Sequence, residues 1–509
     1  MLKSILFIIV ALITAGCGSY RENDGRREDS NGANADEDTN ANADSDVLTD
    51  DDASPEYRGF YMSAAPMQYE VRPGDIKTVF DFSGFERQVD LVSLHMDFFG
   101  IPWQAFADGS SLPTAWVSTM EQIRNDVDKL NVGVFLSLTP LSGSRNTPSD
   151  NAIVVDGELV IDSEWQTGCA DFSSSYQGID LKAAYLNYVR WMVDLFSPIF
   201  LNLNIEMNKY QFHCPKEWPS MIELSNAAYD QEKQHNAVMP VFVSFELEQM
   251  WGFTDEGACE VGDKSCLISA IEDVRDISRD RFGISTYPLF LQWEWERMAL
   301  DYFSAPAELT GEQVVFAETG WSNRSVTVPF PTIADDCFDL LRSTDEEQRW
   351  YMEFLLSSAN ELGADLVVWW TLRDFLPAPV LESCPCSYDA TWCFLYEQLG
   401  QIGLVGAWSM WGGMGILNND LSPKPSASLW ADWKDARFRE VAKASEGNSA
   451  AFIQHTADNK EHEILNRANV RRYFHQQKHL SASIQRIPNR DCFFMNRIKG
   501  EPKTGGYND

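Results

Sequence analysis

Between Tyr57 and Trp430, short apolar segments recur at a spacing that leaves room for a helix after each, a pattern of repeated βα units. Eight such segments are expected as strands: 59–64, 89–96, 132–138, 199–206, 238–245, 282–287, 314–318 and 366–370. Each is nearly continuously apolar instead of alternating, as suits strands covered on both faces. The gaps carry helical periodicity. In residues 180–196, Leu181, Tyr185, Tyr188, Met192 and Phe196 fall along one stripe. Ser343 and Glu346 have capping-box spacing ahead of another helix. A last short helix is expected over 431–444. Eight βα units closing on themselves predict an α/β fold of the (β/α)8 TIM-barrel type.

The pattern divides the chain into four parts. Residues 1–17 hold Lys3, an apolar run from Ile5 to Ile13 and the small residues Thr14, Ala15 and Gly16 before Cys17. That run is too short to span a bilayer stably and suits an export signal. The ending Ile13-Thr14-Ala15-Gly16-Cys17 resembles a bacterial lipobox, with Thr14 where leucine is usual; the resemblance implies lipidation of Cys17, and Gly18 after it resembles an outer-membrane sorting signal. Residues 18–56 are rich in Asn, Asp, Ala, Ser and Gly, too poor in apolar surface to offset the entropy of ordering, and read as an acidic tether. Residues 57–444 form the expected barrel domain. Residues 445–509 are polar and weakly periodic, and are expected to be disordered.

Composition narrows the partner. The chain has a formal net charge of −36, with 13 acids against 3 bases in residues 20–56 and 7 against 10 in 445–509, so the barrel region is itself strongly acidic. Such a domain repels phosphate backbones, which argues against nucleic acid and fits a neutral or basic ligand. A monomer with no cofactor is expected. Of ten cysteines, eight lie between Cys17 and Cys492. Export makes disulfides the default, with Cys259–Cys266 a local pair and Cys169–Cys214 a clamp between neighbouring loops. Cys384, Cys386 and Cys393 lack the paired C-x2-C spacing of a zinc site, and His95, Asp97 and His213 lack a metal-ligand spacing.

Barrel enzymes carry their reactive groups at the C-terminal ends of strands. The fourth expected strand ends Leu203-Asn204-Ile205-Glu206-Met207-Asn208, the seventh Ala317-Glu318-Thr319-Gly320-Trp321-Ser322. Two carboxylates at one rim can protonate a leaving oxygen and attack an anomeric carbon, the retaining mechanism, if they stand about 5 to 5.5 Å apart. With these residues the chain resembles the clan of retaining glycoside hydrolases whose catalytic glutamates follow strands four and seven. Glu318-Thr319-Gly320-Trp321-Ser322 is similar to the nucleophile motif of plant-type β-1,3-glucanases and of arabinogalactan endo-β-1,4-galactanases. The segment around Glu206 is similar to the galactanase acid/base segment, except that Ile205 stands where the clan has an asparagine for the sugar 2-hydroxyl; Asn204 or Asn202 are the available substitutes.

The resemblance implies Glu206 as acid/base and Glu318 as nucleophile. It also implies Tyr287, in Ser285-Thr286-Tyr287-Pro288, as the contact to the nucleophile, and Trp370 as the floor of the sugar subsite. Among 17 tryptophans, Trp321 is the second stacking candidate, with Trp103, Trp251 and Trp293 behind it. His95 and Asp97 are expected to bond sugar hydroxyls or loop backbone. Glu246, Glu248, Glu294 and Glu296 are competing carboxylates: Glu246 after the fifth strand and Glu294 and Glu296 after the sixth could line the cleft, with solvated loop residues as the alternative. The expected activity is hydrolysis of a β-linked polysaccharide or oligosaccharide at the outer membrane. A non-catalytic carbohydrate-binding lipoprotein on the same barrel is the alternative, and a purely structural envelope component a third.

Overall fold

The structure is a computed structural model and describes residues 55–72, 75–155, 158–162, 164–253, 262–291, 301–329, 337–375 and 413–438. Residues 1–54 and 439–509, with Cys17, the tether and the tail, lie outside it, as do Cys259, Cys384, Cys386, Cys393, Cys492, Trp293, Glu294 and Glu296.

Eight parallel strands close into a barrel: β1 Tyr61–Ala64, β2 Leu91–His95, β3 Gly133–Ser137, β4 Phe200–Asn202, β5 Val241–Glu246, β6 Phe282–Thr286, β7 Val314–Thr319 and β8 Leu366–Trp369. All eight expected strands are present, with corrected ends. The fourth stops at Asn202, because the chain then turns and leaves Glu206 four residues beyond it. The fifth begins at Val241, since Val238 is 87% exposed and has no layer to pack against.

The helices cover the outside. The first long one, α1 (Thr114–Leu130), buries Trp116, Met120, Ile123 and Val127, the i, i+4, i+7, i+11 stripe of one face. It ends at Asn131 in the left-handed conformation. In α2 (Leu181–Phe196) the Asp180 carboxylate accepts from Ala183 N, and all five stripe residues are buried. Helix α3 spans Trp218–His235. Helix α4 (Asp345–Leu362) is capped by Thr344, whose hydroxyl accepts from Glu347 N, one residue later than the capping box expected at Ser343. Ser343 instead accepts from Trp321 Nε1. The last helix, α5, runs Pro425–Asp435 and not 431–444, since Pro425 sits where a first-turn proline is tolerated. Among the described residues no helix is long and apolar enough to cross a membrane.

The core has two compartments. One lies between barrel and helices. The other is the plug inside the barrel, made by Leu91, Phe135, Phe200, Phe242, Val315, Ala317, Leu366 and Val368, with the Phe135 and Phe242 rings stacked at 5.9 Å. Hairpins 67–72 with 75–80, 151–155 with 158–162, and 326–329 with 337–341 follow β1, β3 and β7 and so build up the C-terminal rim. At the opposite end, Tyr57–Arg58 pairs with Arg437–Phe438, and Arg58 forms a two-pronged hydrogen bond with Asp90.

Two cross-links brace the rim. Cys169–Cys214 joins the loop after β3 to the helix Asn208–His213 after β4, the expected clamp. Cys266 is disulfide-bonded as well. The buried Lys424 ammonium donates to Asn323 Oδ1, Asp374 Oδ1 and the Gly413 carbonyl at 2.8 to 2.9 Å, tying the segments after β7 and β8 together. Burial outweighs the mutual attraction of this pair, since it pushes Asp374 up and Lys424 down to about 8. Removing one partner strands the other charge in the interior. Lys424→Met is therefore expected to lower the unfolding free energy by roughly 3 kcal/mol or more, read from denaturant unfolding; an unchanged midpoint would show that the pair carries no such load.

Candidate active site

Strand alternation decides what reaches the mouth. Side chains two apart on a strand share a face, so above the apolar plug the same lumen-facing rows continue into polar residues: Ser63, Ser93, Ser137, Asn202, Ser244 and Ser285, all essentially inaccessible to solvent. Asn202 Nδ2 donates to both Ser137 Oγ and Ser244 Oγ. Ser93 Oγ lies 3.1 Å from His95 Nδ1, and Ser285 Oγ donates to Glu206 Oε1 at 2.9 Å. All of these but Ser63 form a hydrogen-bonding floor under the ionisable groups. It was missed in reading the sequence, though its trace is there: five of the strand segments carry a serine near the C-terminal end, in Met-Ser-Ala, Val-Ser-Leu, Leu-Ser-Leu, Val-Ser-Phe and Ile-Ser-Thr.

Neither expected catalytic glutamate arrives by simple alternation. On β7, Val315 and Ala317 line the lumen, which would aim Glu318 outward. The register with β6 slips between Phe316 and Glu318, so that Ile284 pairs with Phe316 and Ser285 with Glu318. The bulge resets the phase. Glu318 turns inward and Thr319 outward, to Tyr351 Oη on α4. Glu206 reaches the rim through a left-handed backbone conformation, φ +51°. Ser244 Oγ accepts from its amide at 3.2 Å and the Ser244 carbonyl from Met207 N at 2.9 Å.

Around Glu318, Tyr287 Oη donates to Oε1 at 2.5 Å, and His95 Nε2 lies 3.2 Å from Oε2. The phenol is buried against this carboxylate, and both effects, burial first, raise its pKa well above the usual tyrosine range. It therefore stays a donor. Tyr287 is held in turn by Glu248, whose Oε1 accepts from Tyr287 N, Thr286 Oγ1 and Tyr302 Oη. Trp370, nearly buried, meets the His95 ring edge-on at 5.2 Å. Gly320 explains one glycine of the Glu-Thr-Gly-Trp motif: a Cβ there would run into the Trp370 carbonyl.

Around Glu206 stand two cations. Lys209 Nζ is 3.2 Å from Oε2, and Arg145 Nε 3.5 Å from the same oxygen. Arg145 also donates through Nη1 to Asp97 Oδ2 at 3.1 Å. Burial alone would raise the Glu206 carboxyl, but Lys209 and Arg145 together overcome it and draw the pKa down to about 2. Lys209 bonds Glu246 Oε1 on its other side at 3.0 Å. Burial pushes Glu246 up, to about 7, against that attraction.

The site thus brings together Glu206, Glu318, Tyr287, His95 and Trp370, and adds Arg145, Asp97, Lys209 and Glu246. Two expected ligand contacts are elsewhere. Asn204 accepts from Thr139 Oγ1 and donates to Met221 Sδ on α3, because the turn after Asn202 swings it away from the lumen. Trp321 is buried under the rim, stacked on Tyr351 at 4.8 Å and bonded to Ser343, so it packs the core and offers no sugar platform. Trp103 and Trp251 are core residues too. Glu246 and Glu248 are not solvated loop residues: one is ion-paired in the mouth, the other buried with three donors. Among the described residues the one cluster with metal-ligand geometry is Cys169, Cys214 and Glu217, and its two sulfurs are already joined to each other.

No protein-family model and no curated protein matches the chain. Solved structures that it resembles in part are glycoside hydrolases. They include a β-glucuronidase from Ruminococcus gnavus in complex with D-glucuronic acid, 11% identical over 75% of this chain and 49% of that one, TM-score 0.35. A structure of fungal β-1,4-galactanases is 12% identical over 68% and 88%, TM-score 0.38, and an uncultured Clostridium sp. β-glucuronidase 10% over 74% and 50%, TM-score 0.37. The chain spans about half the length of the glucuronidases.

The charge arrangement has a consequence for acid stability. Glu206 titrates lower in the folded chain than the ordinary 4.5, so it contributes stability that is complete above about 4.5 and is lost as pH falls toward 2. Glu206→Gln should remove this contribution, on the order of 3 kcal/mol. Unfolding free energies measured from pH 5 to 2 should then fall less steeply for the variant than for the parent; parallel curves would contradict the assignment.

Proposed function

We propose that the protein is a retaining β-glycosidase acting on a β-linked polysaccharide or oligosaccharide, with Glu318 as nucleophile and Glu206 as acid/base. The observation that carries this reading is the environment of Glu318: a half-buried carboxylate at the barrel mouth, aimed inward by a bulge, with a neutral phenol on one oxygen and an imidazole beside the other. The phenol hydrogen bond orients the carboxylate for attack on an anomeric carbon. Double displacement then forms a glycosyl ester on Glu318, which water opens with Glu206 as base. Trp370 is the sugar-stacking surface, and His95 and Arg145 are donors within reach of the same cleft. The mechanism needs no cofactor.

In this reading Cys17 is lipidated, residues 18–56 tether the barrel, and the protein works as a monomer at the outer membrane.

Two observations favour a second reading. Glu206 is held ionised by Lys209 and Arg145, the opposite of what a general acid needs, and Ile205 provides no 2-hydroxyl contact. A barrel that binds glycan without cutting it fits those two facts. Reducing-end release from β-galactans, β-glucans, β-mannans and xylans, with wild type beside Glu318→Ala, separates the readings. Wild type is expected to cut one class, and Glu318→Ala to be slower by at least about 10⁴-fold. Glycan binding with no cleavage by either protein would establish the binder instead.

A further inference from the structure

Three carboxylates approach the mouth near the fourth to seventh strands, and only one comes on an unbroken strand. On β5 the lumen-facing row runs Phe242, Ser244, Glu246, from the plug through the polar ring to the rim. The backbone of Glu246 is clamped: its amide donates to Asn208 Oδ1 at 2.8 Å, and its carbonyl accepts from Asn208 Nδ2 at 3.0 Å. Its Cα partner on β6 is Ser285, the residue that donates to Glu206. One ammonium, Lys209 Nζ, stands between Glu246 Oε1 and Glu206 Oε2.

From this geometry we infer that Glu246 is a positioning residue for the acid step, holding the proton that Glu206 delivers and passing it through Lys209. The inference rests on the glycosidase reading above. As the leaving oxygen approaches, Lys209 gives one proton to Glu206 Oε2 and takes the Glu246 proton in its place, ending as it began. The Glu206 O–H bond then breaks as the new O–H bond forms on the leaving oxygen, which keeps the electron pair of the cleaved C–O bond. In the second step water gives its proton to Glu206, and the relay runs backward.

The charged groups facing Glu246 among the described residues are Lys209 and Glu206 from the segment after β4 and Glu248 on its own following turn. Burial and the two neighbouring carboxylates favour the protonated form, against Lys209. Two carboxylates that share one ammonium titrate as a unit, so a proton leaving near 7 belongs to the pair.

The test compares wild type, Glu246→Gln and Glu246→Asp on two substrates from pH 4 to 9: the polysaccharide that is cut, and the 2,4-dinitrophenyl β-glycoside of the same sugar, whose leaving group needs no proton. On polysaccharide, wild type should lose kcat/KM above about 7. Glu246→Gln should lose it at least about two pH units lower and be slower at neutral pH on the order of 10²-fold, with a far smaller loss on the dinitrophenyl substrate. Glu246→Asp, which keeps a carboxyl, should restore much of the alkaline limb. Equal losses on both substrates with an unshifted profile would overturn the inference and leave Glu246 a structural residue. If wild type turns over neither substrate, the glycosidase reading fails by itself. Carboxyl carbon NMR still decides the pairing: a group titrating near 7 in wild type and missing in Glu246→Gln supports it, and no such group refutes it.

Discussion

Everything at the mouth depends on the two-residue alternation of a closed parallel barrel. Once Leu91, Phe135, Phe200, Phe242, Leu366 and Val368 fill the lumen, the residues two and four positions further along each strand are committed to the same face. That commitment delivers His95, Glu246 and Trp370 without special devices, and it lays the serine ring beneath them. It also works against Glu318, which lies one position out of phase. The bulge on β7 and the left-handed Glu206 are local departures from regular geometry at the two positions where regularity would misdirect a carboxylate.

The resulting site concentrates Asp97, Glu206, Glu246 and Glu318 around Arg145 and Lys209 in a space largely closed to water. Buried charges are tolerable only when paired and hydrogen-bonded, and each carboxylate here has a named partner. The pairing is uneven. Glu206 has two cations and two hydroxyl or ammonium donors, Glu318 a phenol and an imidazole, Glu246 one shared ammonium. For Glu206 and Glu246 such inequality draws the two titrations apart, the condition under which one carboxyl can hold a proton while its neighbour is ionised. The serine hydroxyls add to this, because they accept as well as donate and can follow a proton as it moves.

Much of the frame was legible in the sequence because its causes are local. Apolar runs covered on both faces, the α2 stripe with Asp180 at its head, and the Cys169–Cys214 clamp all depend on near neighbours or on simple pairing. Glu318 and Tyr287 were legible as motif residues, and the structure joins them by a hydrogen bond. What stayed hidden depends on phase. Asn204 and Glu206 have the same parity, and only the turn after Asn202 sends one to α3 and the other to the mouth. Trp321 follows Glu318 closely in sequence yet belongs to the helix layer. Arg145 sits in a loop and Lys209 in a short helix whose course no periodicity reports, and Glu246 could not be told from a solvated loop residue because its ion pair comes from a segment far away in sequence.

The pairing of Tyr57–Arg58 with Arg437–Phe438 gives the domain a polarity. The polypeptide enters the barrel at the end remote from the reactive groups, and Arg58, bound to Asp90 ahead of β2, fixes that entry against the barrel floor. The described chain therefore begins and ends at the same end of the barrel, away from the mouth. With both described ends at one side, the opposite rim, built from the loops and hairpins that follow the strands, is left clear of the points where the chain enters and leaves.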